Sequence, residues 1–387
     1  MKFFLIAGEP SGDNLGAPLM AGLKSLDAGA EFIGVGGPAM AAEGMASLFP
    51  MEELSVMGIV EVLPKYRQLQ ARIRETAEAV VAARPDVLIT IDSPDFCLRV
   101  ARRARARLPE LRTVHYVAPS VWAWRPARAR KMAEVIDHVL AILPFEPPYM
   151  RAAGMSCDFV GHPIAAEPVA GPEAAAAFRA AKGIAPEAPL VLCLPGSRRG
   201  EVSRLGPRFD EALMRLRDRV PEIRVVIPTV AGVSALVHDM ARRWPSAPVV
   251  VESAADKRAA FAAADLALAA SGTVSLDLAA NDVPMVIGYD VAPLSRLIIG
   301  LLLKTDTVTL VNLVSETRAV PEFLGRRCQP APLAQALLEL LESPEARAQQ
   351  HAAMALSMQR LGRGGEAPGL RAARSVMAAI SSAPRPR

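Results

Sequence analysis

The sequence predicts an α/β protein built from two Rossmann-like domains that face each other across a cleft. Short apolar, strand-like runs alternate with helical patterns, this alternation occurs in both halves, and a proline-rich segment separates the halves. Such alternation is typical of a mostly parallel sheet with helices on both faces. A chain of 387 residues is long enough for two domains of this kind.

The order of the elements sets the expected domain limits. Strand-like runs of the first half are Lys2–Ala7, Glu31–Val35, Val87–Ile91, Thr113–Val117, His138–Leu143 and Asp158–Val160. Those of the second half are Pro189–Leu194, Arg224–Pro228, Pro248–Val251, Leu266–Ala269 and Pro284–Tyr289. Prolines and a glycine between the halves indicate a linker. We therefore expect an N-terminal domain over 1–163, a linker over 164–174, a C-terminal domain over 175–343 and C-terminal helices over 344–387.

The composition restricts the class of protein. Hydrophobic residues make up 51% and charged residues 22%, as in globular proteins. The 4 cysteines are far apart and lack metal-ligand spacing, which favours a reduced, cytoplasmic protein with inert thiols. No hydrophobic run approaches the roughly 20 residues that span a bilayer, so we expect a protein that is soluble or lies on a membrane surface. The net charge of +4 fits anionic partners without choosing among them.

A carboxylate follows a strand of the first half whose five residues are all apolar or β-branched. Asp92 comes directly after Val87–Ile91, and Asp95 lies at the start of the next helical pattern. Open α/β sheets bind ligands outside the carboxyl ends of their strands, which makes Asp92 a candidate catalytic residue. The alternative is helix capping, since Asp is favoured at N-caps, and we interpret Asp95 as a cap or a first-turn acid.

The loop after the first strand, Gly8 to Asp13, also opens a helix. Its glycines allow a ligand to approach the backbone, and the free amides of a helix start favour anionic or hydroxyl groups. The loop lacks the G-x-G-x-x-G pattern, which argues against dinucleotide binding. The alternative is a tight turn in which Ser11 or Asp13 caps the helix.

Two further segments of the first half are candidates for apolar ligands. Residues 57–74 interleave apolar and basic side chains, a pattern of helices that lie in an anionic membrane interface, although such a helix more often packs on the core. Its predicted membrane contacts are Val60, Val62, Leu63, Tyr66 and Leu69. After the fourth strand, the loop from His115 to Arg125 contains Trp122 and Trp124. Indole rings offer flat faces to sugars or lipid chains, but they can equally anchor the loop to the core.

The second half contains two strand–turn–helix motifs suited to a nucleoside diphosphate. In the first, Gly196 permits a turn, Ser197 can donate a hydrogen bond, and Arg198 can bind a diphosphate through its guanidinium fork. The second consists of Ser271, Gly272 and Thr273, with Asp277 about one helical turn later and within reach of ribose hydroxyls. Neither motif is a Walker A loop, because no G-K-[ST] follows.

Together these motifs resemble the lipid-A-disaccharide synthase family. The resemblance rests, in chain order, on 8–13, 57–63, 91–96, 115–125, 160–162, 194–198, 270–273 and 304–312, and it extends from residue 1 to about residue 330. The string Pro119-Ser120-Val121-Trp122-Ala123-Trp124 is its most specific part.

The resemblance implies a glycosyltransferase of the GT-B architecture. Such an enzyme transfers a sugar from UDP-2,3-diacylglucosamine to 2,3-diacylglucosamine 1-phosphate (lipid X), forming the β-1,6-linked disaccharide of lipid A and releasing UDP. The first domain would face the acceptor and the membrane, and the second would bind the UDP-sugar. The family implies peripheral binding to the cytoplasmic face of the inner membrane of Gram-negative bacteria. It is also associated with a homodimer that exchanges C-terminal segments; otherwise these helices would pack back on the N-terminal domain.

The resemblance also implies roles for the candidate residues. Asp92 would be the general base on the acceptor 6-hydroxyl, and Arg198 would balance charge on the departing UDP, aided by amides around Ser197 and Ser271–Thr273. Asn312 resembles an active-site position near the donor, and the alternative is a loop cap. The predicted acceptor residues are Glu9, Ser11, Gly12, His115 and Trp122. For His115 the alternative is a structural role, which is more usual for a single histidine at a strand end.

Two positions depart from the pattern of the family. Asp277 stands where a glutamate is usual, and Arg199 adds a charge whose role is open.

The sequence also restricts the cofactors and partners and leaves three other classes of protein open. Because metal-ligand clusters and an Asp-x-Asp motif are missing from the sequence, we expect neither a metal nor another cofactor. We expect no nucleic-acid partner either, since no recognisable module accompanies the basic residues. The alternatives are another GT-B UDP-sugar enzyme (a MurG-type transferase or a UDP-sugar epimerase), an NAD-dependent oxidoreductase and a non-catalytic lipid-binding scaffold.

Overall fold

The computed structural model describes residues 1–54, 59–121, 127–291 and 305–381, and the side chains of 59–65 lie outside this description. The chain forms two units, one from residues 1–166 with 364–387 and the other from 167–363. The described part of each unit contains a six-stranded parallel sheet accompanied by helices, which confirms the predicted α/β class.

The sheet of the first unit has the order β2-β1-β3-β4-β5-β6. Its strands are β1 Lys2–Ala7, β2 Glu31–Val35, β3 Val87–Ile91, β4 Arg112–Tyr116, β5 His138–Ala141 and β6 Ser156–Phe159. The accompanying helices are α1 Pro10–Leu26, α2 Pro38–Ala42, α3 Ile59–Ala83, α4 Pro94–Arg105, α5 Ala127–Ala133 and α6 Pro147–Ala152. Alternate residues of β1 enter two different core clusters, so both faces of this sheet are covered.

The sheet of the second unit has the order β12-β11-β10-β7-β8-β9. Its strands are β7 Leu190–Leu194, β8 Arg224–Pro228, β9 Val249–Val251, β10 Leu266–Ala269, β11 Met285–Tyr289 and β12 Glu322–Leu324. Its helices are α7 Pro172–Ala181, α8 Arg199–Arg217, α9 Ser234–Ala241, α10 Ala254–Ala263, α11 Val274–Ala280, α12 Leu310–Ser315, α13 Pro330–Glu342 and α14 Pro344–Arg360. Every predicted strand is present, with ends within two residues of the prediction, whereas β12 was not predicted.

The last helix, α15 (Pro368–Ser381), belongs to a different unit from helix α14. Helix α14 belongs to the second unit, where the side-chain amide of Gln350 accepts a hydrogen bond from Met285 N and donates one to Met285 O on β11. Helix α15 belongs to the first unit and packs on α1 at a close approach of Gly369 to Pro18. Ser375 of α15 also hydrogen-bonds to His138 at 2.8 Å. The two helices are divided because each buries its apolar face in a different core.

Candidate active site

In the first unit, the candidate residues lie at the point where the order of strands reverses. From β1 the chain adds β2 on one side and then β3 to β6 on the other. The last residues of β1, β3 and β4 (Ala7, Ile91 and Tyr116) are neighbours in register. The loops that follow these strands therefore meet at one edge of the sheet. This switch point is where doubly wound sheets bind their ligands.

Asp92 is the central side chain of this edge. Its carboxylate accepts a hydrogen bond from Ser11 Oγ at 3.4 Å, and its backbone amide donates to Tyr116 O at 3.0 Å. The residue is partly exposed, and no salt bridge joins it to any other residue in the described part of the chain. A carboxylate in this position is free to accept a proton from a ligand. Ser11 thus lies beside Asp92 at this edge of the sheet.

The backbone at this edge is strained. Asp92 and Ser93 both have left-handed conformations, with φ of 53° and 42°, and Val117 after β4 has φ of 81°. Such conformations are costly for residues other than glycine, above all for β-branched Val117. The turn after β1 also approaches closely, since a Cβ on Gly8 would lie 2.7 Å from Ser93 Oγ. Strain of this kind often accompanies functional sites and supports the assignment of this edge.

His115 was predicted to contact the acceptor, and the structure corrects this. Its side chain is only 1% exposed, within the sheet, and its Nδ1 lies 2.7 Å from Thr90 Oγ1. Burial lowers the pKa of His115 to about 4, so the ring is neutral at ordinary pH. Instead of reaching a ligand, the His115 ring joins β4 to β3 through Thr90, two residues before Asp92.

The remaining candidates of the first unit have mixed outcomes. Glu9 is partly buried. Gly12 is buried, and a Cβ at this position would lie 3.3 Å from Ile91 O and 3.3 Å from Ala7 Cβ. Trp122 and the side chains of Val60, Val62 and Leu63 lie outside the described residues. Tyr66 is 50% exposed on α3, whereas Leu69 is half-buried and packs against the core.

The second unit has a switch point of its own, between β7 and β10. The chain adds β8 and β9 on one side of β7, and then β10, β11 and β12 on the other. Leu194 and Ala269, which end β7 and β10, are in register, and the Ala270 amide donates to Leu194 O at 2.8 Å. The turns at 195–198 and 270–273, both predicted from the sequence, are therefore adjacent at one edge of the sheet. Two small-residue turns at a switch point are typical of nucleotide sites.

Arg198 projects from this edge. Its side chain is 69% exposed, and its Nη1 lies 3.3 Å from Glu201 Oε1. Such an exposed pair is weak and is easily replaced by an anionic ligand. In the second turn, Ser271 is half-buried, while Gly272 and Thr273 are exposed at the start of α11.

Glu201, to which the sequence analysis gave no role, organises the first turn. Its carboxylate accepts from the amides of Ser197 and Arg198, each at 3.3 Å, and from Tyr289 Oη at 3.3 Å. The expectation that amides around Ser197 face a diphosphate is therefore corrected, because Glu201 occupies them. The usual helix-capping pattern of Ser or Thr followed by Glu did not reveal this role, since Arg198 stands at the first position.

We expect Gly196→Ala to disorder this turn and weaken UDP binding. Gly196 has φ of +117°, and a Cβ there would lie 2.6 Å from Glu201 Oε2. Gly200→Ala is the matched control, because nothing lies within 4 Å of its Cβ position. Calorimetric titration with UDP should show a weaker complex for the first variant only. Equal affinities in both variants would show that the turn does not shape the site.

Asp277 and Asn312 differ in their exposure. Asp277 lies on α11 in a partly buried position, and burial, with a further contribution from Glu167, raises the pKa of its carboxyl to about 6.

Asn312 was predicted to contact the donor, but its side chain is 0% exposed. Its amide group donates to Val320 O at 2.9 Å and accepts from Val320 N at 3.0 Å. The structure thus assigns Asn312 to holding the segment before β12, which corrects the prediction of direct contact.

The described residues include no group of three or more His, Cys, Asp or Glu side chains placed to hold a metal ion. Nor does any helix among them have the length and apolar character required to cross a membrane.

Comparison with known proteins finds relatives that match nearly the whole chain. A family model described as lipid-A-disaccharide synthetase matches residues 3–368. A lipid-A-disaccharide synthase from Ruegeria pomeroyi is 60% identical over 385 residues, which cover 97% of this chain and 95% of the relative. Another from Rhodospirillum centenum is 47% identical and covers 98% of this chain and 95% of its own.

Solved structures with low sequence identity show the fold. A UDP-GlcNAc 2-epimerase from Neisseria meningitidis bound to UDP-GlcNAc has a TM-score of 0.63 at 12% identity, covering 98% of this chain and 99% of its own. The calicheamicin glycosyltransferase CalG4 has a TM-score of 0.57 at 16% identity, covering 99% of both chains. These likenesses support the GT-B architecture. Given the family model and the two close relatives, the chain belongs to the lipid-A-disaccharide synthase family and is a glycosyltransferase.

Proposed function

We propose that the protein transfers the sugar of UDP-2,3-diacylglucosamine to the 6-hydroxyl of lipid X and releases UDP. The observation that carries this proposal is Asp92, a partly exposed carboxylate without a salt bridge in the described part of the chain, at the switch point of a sheet. Family membership supplies the nature of both substrates. The fold alone does not favour an epimerase, because the epimerases that share it are only distantly related.

In the proposed reaction, Asp92 accepts the proton of the acceptor 6-hydroxyl as that oxygen bonds to the anomeric carbon of the donor. The bond from this carbon to the diphosphate breaks, and UDP departs with the electron pair. Attack on the face opposite the leaving group inverts the configuration. Arg198 then balances the charge that develops on the diphosphate, which is the kind of electrostatic stabilisation that lowers such barriers most.

Asp277 is proposed to accept hydrogen bonds from the ribose hydroxyls, which makes donor binding depend on pH. Its carboxyl is ionised above its pKa of about 6 and protonated below it. We therefore expect UDP-2,3-diacylglucosamine to bind less tightly as the pH falls from 7 to 5, a range in which the doubly esterified diphosphate does not titrate. Titrations across this range should show the loss in the wild type but not in Asp277→Asn. An identical pH profile in both proteins would exclude this role.

The protein is also proposed to work on the cytoplasmic face of the inner membrane, to which the start of α3 would bind. Tyr66 supports this, because half of a large amphipathic side chain is exposed there. Leu69 is less suited to this role than predicted, since it packs partly on the core. From family membership we also propose a homodimer that exchanges C-terminal segments. In the single chain, α15 packs on α1 of the same chain.

The proposed activity is tested by offering acylated and unacylated UDP-sugars together with lipid X. We expect UDP release and a disaccharide product, identified by mass spectrometry, only with the acylated donor. Equal use of the unacylated donor would favour another GT-B transferase. A change in the configuration of the UDP-sugar without UDP release would favour an epimerase.

A further inference from the structure

The first unit contains a cavity that the assignments above leave unused. It has a volume of about 570 Å³ and lies between the first turns of α4 and helix α5. Leu98, Pro119 and Met132 form an apolar wall, while Asp95, Arg128 and Lys131 supply the charged groups. The cavity thus combines a surface for hydrocarbon with two cations.

The cavity lies at the same sheet edge as Asp92. Pro94, which also lines it, is two residues beyond Asp92, and Pro119 is three residues beyond the end of β4 at Tyr116. Since β3 and β4 are adjacent and parallel, both lining segments start from the edge where Asp92 lies. A ligand in this cavity would therefore approach the proposed general base.

The two cations of the cavity differ from two arginines of the preceding helix, α4, which are held in ion pairs. Arg105 pairs with Asp137 at 3.0 Å and Arg102 with Glu134 at 3.2 Å. For Arg128 and Lys131, by contrast, no salt bridge or side-chain hydrogen bond to another described residue is found. They are three residues apart on α5, where neighbouring like charges repel each other. Asp95 offsets only one of the two charges, so the lining favours an anion.

We propose that this cavity binds the phosphomonoester of the sugar acceptor, with the adjoining apolar wall in contact with its hydrocarbon. This inference rests on the proposed function and deepens it by assigning the acceptor phosphate to Arg128 and Lys131. A phosphate matches two cations for which the described residues provide no salt bridge, since charge-assisted hydrogen bonds to it are stronger than neutral ones. The donor diphosphate is assigned to Arg198 of the second unit.

The test compares lipid X with 2,3-diacylglucosamine, which lacks the phosphate. Arg128→Gln combined with Lys131→Gln keeps much of the side-chain volume and removes both charges. We expect this variant to lower kcat/KM for lipid X about tenfold to a hundredfold, mainly through KM, and to leave the unphosphorylated acceptor unaffected. The KM of the donor should not change. Arg130→Gln is the matched control, because Arg130 lies on the same helix but outside the cavity lining.

Direct binding of lipid X in detergent micelles gives a second readout that does not require turnover. We expect the double variant, but not Arg130→Gln, to bind lipid X more weakly. The proposal is wrong if the double variant lowers kcat/KM equally for both acceptors, or if it leaves kcat/KM for lipid X unchanged. If the double variant no longer binds phosphatidylglycerol vesicles but still prefers lipid X to the unphosphorylated acceptor as the wild type does, the cavity binds a membrane headgroup instead. A wild type that binds lipid X through these residues yet transfers no sugar would contradict the proposed function and not this inference.

Discussion

Asp92→Asn is expected to lower the rate of sugar transfer about a hundredfold to ten-thousandfold, the range typical of a lost general base. Asparagine is nearly isosteric and can still accept the hydrogen bond from Ser11, but it cannot take the proton of the acceptor hydroxyl. Because Asp92 is proposed to contact the acceptor hydroxyl and not the UDP moiety, the affinity for UDP should change less than about twofold. Steady-state transfer assays and calorimetric titration with UDP measure the two quantities.

The control for this variant is Asp86→Asn at the opposite end of β3. The carboxylate of Asp86 accepts a hydrogen bond from the Lys2 amide at 2.7 Å, and asparagine can replace it. We expect this variant to keep wild-type activity. If Asp92→Asn also turns over at nearly the wild-type rate, another group must accept the proton.

Arg198→Ala is expected to weaken UDP binding about tenfold to a hundredfold and also to slow transfer. Hydrogen bonds to charged groups contribute about 1.5–3 kcal/mol, and the negative charge on the diphosphate grows as UDP departs. The turn itself should persist, since the amides of Ser197 and Arg198 still donate to Glu201. Arg198→Lys should give an intermediate result, because lysine keeps the charge but loses the planar fork.

Arg215→Ala is the matched control for Arg198→Ala. Arg215 lies in the last turn of the same helix, α8, and pairs with Glu211 at 2.8 Å, so this variant removes a similar exposed ion pair far from the turn. We expect unchanged UDP affinity and unchanged transfer. If Arg198→Ala behaves like this control, the exposed guanidinium does not bind the leaving group.

The sequence was sufficient to predict the strands and the turns that follow them. A parallel strand that is buried on both faces requires a run of apolar residues, and the ligand-bearing loops begin where that run ends. For this reason Asp92, Arg198 and Ser271 could be placed just after the carboxyl ends of their strands, where the structure has them. β12 was missed because its three residues are only half-buried and show no apolar run.

Side-chain partners were harder to predict, because they depend on contacts between distant parts of the chain. His115 and Asn312 are polar residues near predicted ligand loops, yet each is held by partners inside the fold, Thr90 and Val320. Asp13 illustrates the same limit. It was considered as a cap for its own helix, but its carboxylate accepts from the amides of Gly37 and Met40 and so caps α2 instead.

The most direct test of the proposed reaction is to measure UDP release from UDP-2,3-diacylglucosamine with and without lipid X. We expect one UDP for each disaccharide formed and almost no release when lipid X is omitted, since the acceptor hydroxyl is the nucleophile. Release at the same rate in the absence of lipid X, or disappearance of the donor without a disaccharide, would contradict the account.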